Sequence, residues 1–163
     1  MAALVLARMP PATILAEETA TILAEERRLV AVARKSGAFR SRQVSEEDII
    51  RRWQELWDST PKAAWTKRLI PCLRSWWHFG PRRISFHMVQ ALTGHGCFQM
   101  YLAARGRAES PACVLCDADN DDAEHTLFNC SRWEDKRRDL ERAVGMSVLP
   151  EDVGYLLCGP ERE

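Results

Sequence analysis

The chain has 163 residues, 46% of them apolar and 28% charged, and its 23 basic and 23 acidic side chains cancel to zero net charge. That length suits one domain or two small lobes around a modest core, and a content of 8 Gly, 8 Pro and 6 Cys excludes collagen, long disorder and a disulfide-dense scaffold. No apolar run reaches the roughly 18 residues that suggest a membrane span, and the apolar start at Met1–Ala7, cut by Arg8 and Pro10-Pro11, is too short for a secretory signal core.

The expected location is therefore nuclear or cytoplasmic and not secreted, where clustered cysteines take metal rather than form disulfides. The zero net charge conceals a strong asymmetry. Residues 1–60 carry 9 basic and 9 acidic groups, residues 61–110 carry 8 and 1, and residues 111–163 carry 6 and 13. The middle third attracts polyanions whatever the total.

In chain order, Leu15, Ile22, Leu23, Leu29, Val30 and Ala33 recur at helical spacing from about Ala12 to Lys35. Glu17 and Glu18 stand near the start of this stretch, Arg34 and Lys35 near its end, and Gly37 beyond it. Ser45, followed by Glu46, Glu47 and Asp48, predicts an N-cap and a helix to about Asp58. Its buried face would be Ile49, Ile50, Trp53, Leu56 and Trp57, with Glu47/Arg51 and Asp48/Arg52 paired on the wet side. Ala64–Leu69 and Leu73–Phe79 read as helices divided by Pro71. Ser85–Leu92 and Cys97–Ala104 read as two more, joined by Gly94-His95-Gly96. Ser131-Arg132-Trp133-Glu134 has the form of a capping box for a helix to Val144, and Pro150–Leu157 forms a last short helix. No long segment alternates with a period of two, so the expected fold is mostly α.

The sharpest chemical signal is Cys113 and Cys116, two residues apart, then His125 after eight residues and Cys130 after four more. A pair of thiolates so spaced can meet one ion from a single turn, and His125 and Cys130 complete a Cys3His tetrahedron suited to zinc. With all four positions filled by protein, one structural zinc ion is expected, supplying much of the local folding free energy. Unrelated buried cysteines are the alternative. A zinc deaminase is excluded because Ala112 precedes Cys113 and no His-x-Glu lies upstream. Asp117, Asp119 and Asp121 imitate the opening of a calcium loop, but Asp122 and Phe128 stand where that loop needs Gly and Glu.

The knuckle loop is acidic, with Asp117, Asp119, Asp121, Asp122 and Glu124, so nucleic-acid contact should come from its flanks. Residues 61–110 combine Lys62, Lys67, Arg68, Arg74, Arg82, Arg83, Arg105 and Arg107 with Trp65, Trp76, Trp77, Phe79 and Phe86. Cations on phosphates beside aromatic rings suit RNA or single-strand contact. The tryptophans, spaced among Leu69, Ile70 and Leu73, read as core, and the arginines as phosphate contacts. His95 reads as a turn residue rather than a ligand.

Trp53-Gln54, Trp57-Asp58, Trp65-Thr66-Lys67-Arg68-Leu69-Ile70-Pro71 and Gln90-Ala91-Leu92-Thr93-Gly94-His95-Gly96-Cys97-Phe98 occur in one order ahead of the Cys3His set and Arg132-Trp133. This pattern resembles the C-terminal region of the pol-like protein of non-LTR retrotransposons, particularly the insect type-1 elements that insert into ribosomal DNA. The resemblance covers nearly the whole chain. It implies a parent with an endonuclease and an RNA-directed DNA polymerase, which nicks a chromosomal site and copies element RNA from the exposed end. It further implies that this zinc-bearing tail handles nucleic acid. Neither the endonuclease nor the paired aspartates of a polymerase palm are found in these residues, so no catalytic residue is expected, and the chain reads as a fragment, a decayed copy or a free-standing tail. Two positions depart from the family pattern: Lys62-Ala63-Ala64-Trp65 has Ala where a glycine is expected before Trp65, and Arg8 stands where a small residue is typical.

The resulting expectation is an irregular helical post-polymerase region over residues 1–110, a CCHC zinc knuckle over 111–131 and a short helical tail over 132–163. Cys113, Cys116, His125 and Cys130 would hold zinc. Arg82, Arg83, Arg105, Arg107, Arg132, Lys136, Arg137 and Arg138 would contact RNA or DNA phosphates during target-primed reverse transcription. No membrane and no small-molecule substrate is expected. The alternative function is a protein–protein module that docks on the upstream polymerase portion or on a second copy.

Overall fold

The computed structural model describes residues 1–33 and 45–159. Among these every regular element is helical and none is a strand, in keeping with the missing period-two alternation. No helix among them is long and apolar enough to cross a membrane. The chain divides into two compact units, one formed by Met1 and Ala3–Thr60, the other beginning at Pro61.

In the first unit a short helix that the periodicity does not predict, α1 (Ala2–Leu6), buries Val5 and Leu6. It closes through Arg8, whose φ of 52° lies in the left-handed region, with Met9 N donating to Leu4 O at 2.9 Å. Helix α2 (Ala12–Ala33) follows Pro10-Pro11. Ile14 is its buried residue near the start, whereas Leu15 and Leu23, expected on the apolar stripe, are exposed. The side chains of Glu18, Ile22, Leu29, Val30 and Ala33, and Arg34, Lys35 and Gly37 altogether, lie outside the described residues.

Helix α3 (Glu46–Ser59) packs on α2 and buries Ile50, Trp53 and Trp57, which share one face of a 3.6-residue period. Ile49 is only half-buried and Leu56 is exposed, because both lie off that line. Ser45 holds the N-cap position without a side-chain bond, and Glu46, Glu47 and Asp48 supply the negative charge of the first turn. The ion pairs differ from those expected: Arg51 bridges Asp48 at 3.3 Å and Glu55 at 3.0 Å, and Arg52 reaches Glu17 on α2 at 3.4 Å.

The second unit opens with α4 (Ala64–Leu69), entered through Ala63 at φ 64°. Among the described residues Arg8 and Ala63 are the two non-glycine residues with positive φ. Arg8 and one of the two alanines before Trp65 thus lie where the backbone is left-handed, a conformation that a glycine adopts without steric cost. Pro71 separates α4 from α5 (Leu73–Phe79), whose first turn is capped by Cys72 Sγ accepting from Ser75 N at 3.5 Å. Helix α6 (Phe86–Thr93) begins at Ser85, whose Oγ accepts from Met88 N at 3.2 Å, and ends at left-handed Gly94. Helix α7 (Gln99–Ala104) starts two residues later than the expected Cys97.

After a long loop come a 3₁₀ turn at Ser131–Trp133, α8 (Glu134–Val144), a second 3₁₀ turn at Pro150–Asp152 and α9 (Val153–Cys158). The expected capping box at Ser131–Glu134 does not form: Trp133 stands at the N-cap of α8 with no side-chain bond, and Glu134 pairs with Arg138 instead. Helix α4 packs on α6 and on the Pro150 turn, and α5 packs on α9. Thr66, Leu69, Ile70, Leu73, Trp76, Leu92 and Phe98 are buried there. Gly154 brings α9 so close to α4 that a Cβ would stand 3.0 Å from Leu69 O. Trp53, Trp57 and Trp76 are core residues, and half-buried Trp65 donates its Nε1 hydrogen to Ala91 O at 2.8 Å.

Candidate metal centre

Residues 113–130 contain one short loop and one wide helical turn, and each presents two of the candidate donors. Cys113 N donates to Ala118 O at 2.9 Å, which closes the Cys113–Cys116 stretch, and Leu115 N points at Cys113 Sγ from 3.4 Å.

His125 and Cys130 sit at the two ends of a π-helical turn, His125–Asn129. In an α-helix, side chains five residues apart diverge by about 140°. The wider π turn, closed here by Cys130 N to His125 O at 2.6 Å, reduces that divergence. Asp122 starts the turn: its Oδ1 accepts from His125 N at 2.7 Å and its backbone oxygen from Thr126 N at 3.0 Å.

The ligand-capable atoms of Cys113, Cys116, His125 and Cys130 all lie within 4.8 Å of one another. Cys113 Sγ is 3.9 Å from Cys130 Sγ, and Cys116 Sγ is 3.3 Å from His125 Nε2. A regular zinc tetrahedron with ordinary bond lengths has S···S edges of about 3.8 Å and S···N edges of about 3.6 Å. The four residues therefore form a cluster that could hold one metal ion, and three thiols with an imidazole are a donor set zinc favours. The thiols are not alike. A hydrogen bond from the Ala118 backbone holds Cys116 below its ordinary pKa, while burial pushes Cys130 up.

Three acidic residues of the loop are consumed in anchoring it. The buried Asp121 carboxylate accepts from Gln99 N at 3.0 Å and from the Thr126 hydroxyl, and its backbone oxygen takes Met100 N at 3.0 Å. Glu124 accepts from Arg68 Nη1 at 2.7 Å, and the same guanidinium reaches Glu151 through Nε. Hydrogen bonds to Glu124 and then Glu151 raise the Arg68 pKa, and Arg68 in return lowers that of Glu151. Phe128 meets Trp65 edge to face at 6.1 Å. Asp117 and Asp119 are left exposed. Sequence reasoning did not identify Arg68, Asp121 or Asp122 as supports. The Asp122-x-x-His125 spacing was a readable helix-start signal, whereas nothing local marks Arg68 or Asp121.

Of the cationic candidates, Arg82 and Arg83 lie exposed between α5 and α6, Arg105 and Arg107 just after α7, and Arg132, Lys136 and Arg138 along the 3₁₀ turn and α8. Arg105 lies over Tyr101 at 5.4 Å and Arg132 over Trp133 at 5.8 Å, arrangements that keep a guanidinium extended along an aromatic face. Arg137 differs. It is half-buried and donates from Nη2 to Cys130 O at 2.7 Å, which ties α8 to the last candidate ligand. His95 is an exposed turn residue whose ring lies 4.8 Å from that of Tyr101.

Sequence comparison adds kinship to this geometry. The chain is 36% identical over 90 residues, 52% of its length, to the retrovirus-related Pol polyprotein from the type-1 retrotransposable element R1 of Bradysia coprophila. It is 32% identical over 117 residues to the Pol polyprotein of element R1 2 of Nasonia vitripennis, and 28% identical over 122 residues to that of R1 3. These alignments take in 69% and 72% of the chain. The matches span only 8%, 27% and 30% of the three relatives. No protein-family model matches the chain, and no solved structure matches it.

Proposed function

Since the chain is homologous to part of the Pol polyproteins of type-1 R1 retrotransposable elements, we propose that it is a zinc-organised nucleic-acid-binding tail of such a protein. It would act on RNA or DNA while the polymerase portion copies element RNA at a nicked target. In this reading residues 1–110 follow the polymerase, residues 111–131 are the knuckle and residues 132–163 are the tail.

Cys113, Cys116, His125 and Cys130 would hold zinc, which supplies a crosslink and no reaction step. The observation that carries the reading is the convergence of these four donors within 4.8 Å, beside a 50-residue stretch with 8 basic groups and 1 acidic group. Arg82, Arg83, Arg105, Arg107, Arg132, Lys136 and Arg138 serve as phosphate contacts. Arg137, a phosphate candidate by sequence, serves instead to brace Cys130.

The test is fluorescence anisotropy of the zinc-loaded chain with labelled single-stranded RNA and duplex DNA across a salt series, beside the Cys116→Ser variant. Binding that falls steeply with salt, and that the variant loses, supports the reading, because phosphate neutralisation releases counterions. Absence of binding at low salt, in protein holding one zinc, refutes it. A protein–protein role has one observation of its own: an apolar groove of about 480 Å³ lined by Met88, Leu127, Leu140, Val144 and Leu156. That reading predicts association insensitive to salt.

A further inference from the structure

Of the three tryptophans of the basic region, Trp76 is in the core, Trp65 is half-buried and hydrogen-bonded, and Trp77 is half-buried. Two phenylalanines of the same region, Phe79 and Phe86, lie outside, whereas Phe98 is buried. Phe86 is 72% exposed and Phe79 43%, although burying a phenylalanine would gain about 1.5–3 kcal/mol. They close the two ends of the α5–α6 connection, and each has a histidine ring beside it, His78 at 6.0 Å from Phe79 and His87 at 5.6 Å from Phe86. Between them stand Arg82 and Arg83, both exposed and with no hydrogen bond or ion pair among the described residues. No Asp or Glu occurs in the sequence from Ser59 to Ala108, so these guanidinium groups have no carboxylate on their own segment.

The backbone holds this arrangement in place. Gly80 N donates to Trp76 O at 3.1 Å at the end of α5, and the Ser85 cap sets the start of α6 at Phe86. The rings therefore stand on two capped helix ends rather than on a loose loop, so little ordering is needed when a ligand arrives.

We propose that Phe79 and Phe86 are stacking platforms for unpaired bases, with Arg82 and Arg83 on the adjoining phosphates, so that the ligand of this surface is single-stranded nucleic acid. The proposal rests on the nucleic-acid-binding reading above and narrows it. A flat exposed ring accepts the face of any base, a face that is hidden inside a duplex, whereas the arginines serve either form. Stacking thus confers preference for single strands, and charge confers affinity.

The experiment compares the zinc-loaded full chain with Phe86→Leu, Phe86→Trp and an Arg82→Gln/Arg83→Gln double variant, on one RNA sequence presented single-stranded and as a duplex. Phe86→Leu keeps apolar bulk and removes the ring. It is expected to weaken single-strand binding about 5- to 100-fold while leaving duplex binding within about two-fold, and Phe86→Trp is expected to retain the preference. The double arginine variant should weaken both ligands and reduce the salt slope. Wild-type single-strand affinity in Phe86→Leu, or an equal loss on duplex, overturns the stacking proposal and leaves the broader reading intact. Failure of the unaltered chain to bind either RNA form overturns both. Because Phe86 is already exposed, Phe86→Leu keeps the fold, and one zinc per chain checks this directly.

Discussion

Ala63 enters α4 at φ 64° and ψ 34°, and its carbonyl accepts the first bond of that helix from Lys67 N at 2.9 Å. A left-handed conformation costs an L-residue about 1–2 kcal/mol, and Ala63→Gly removes that cost. The same change loosens the unfolded chain, which subtracts about 0.4–1 kcal/mol, so the net expectation is a gain of about 0.5–1 kcal/mol. Ala64→Gly is the matched control. It is the first residue of the same helix, has no left-handed strain to relieve and bears the same unfolded-state penalty. The two variants should therefore differ by about 1–2 kcal/mol in favour of Ala63→Gly, with the unfolded-state term cancelling. Urea denaturation of zinc-loaded protein, followed by tryptophan fluorescence, should separate their midpoints by roughly 0.5–1 M at a common slope. Equal destabilisation by both substitutions would refute the reasoning and show that Ala63 bears no left-handed strain.

Removing zinc with a chelator should abolish ordered structure over residues 113–130, read as loss of amide protection by hydrogen exchange, because the donors otherwise leave polar groups and thiols packed together without a crosslink; protection unchanged in metal-free protein would show that the loop stands by itself. Asp121→Ala strips the partner from Gln99 N and the Thr126 hydroxyl and should destabilise the second unit by about 1–3 kcal/mol, measured by the same urea titration, with weaker zinc retention in competition against a chelator. Trp76→Ala in the core beside Leu73 should cost about 3–5 kcal/mol; a midpoint close to that of the unaltered chain would contradict its burial. Glu151 has its pKa lowered by Arg68, so its contribution to stability is present above the ordinary carboxylate pKa and fades as pH falls through its own lower value. Arg68→Gln should return Glu151 toward the usual range in a carboxylate NMR titration, and an unmoved titration would show that the pair does not form in solution.

The local chemistry was legible because it depends on short spacings. Eight of the helical segments, α2 to α9, follow from apolar periodicity, capping residues and the Pro71 and Gly94 stops, and the candidate metal donors from cysteine and histidine intervals alone. Local strain was not legible: the left-handed φ of Arg8 and Ala63 emerges only in the folded backbone. Helix α1 escaped because five residues carry too little period to read. The capping box at Ser131 failed because a 3₁₀ turn occupies those residues.

Partner choice among distant residues was decided by the fold. Eight basic residues in the middle region look alike in the sequence, yet Arg68 pairs with Glu124 and Glu151 while Arg82 and Arg83 stay exposed. Arg137 turns in to Cys130, and its neighbours Lys136 and Arg138 face solvent. Among five acidic loop residues, Asp121 is buried against Gln99 and Asp117 is not. Composition and spacing act along the chain and settle which elements form and which donors can share an ion. Which charge is neutralised, which ring is buried and which remains free for a ligand depend on contacts between residues as far apart as 56 and 83 positions, and those exist only once α4, the π turn and the Pro150 turn are packed together.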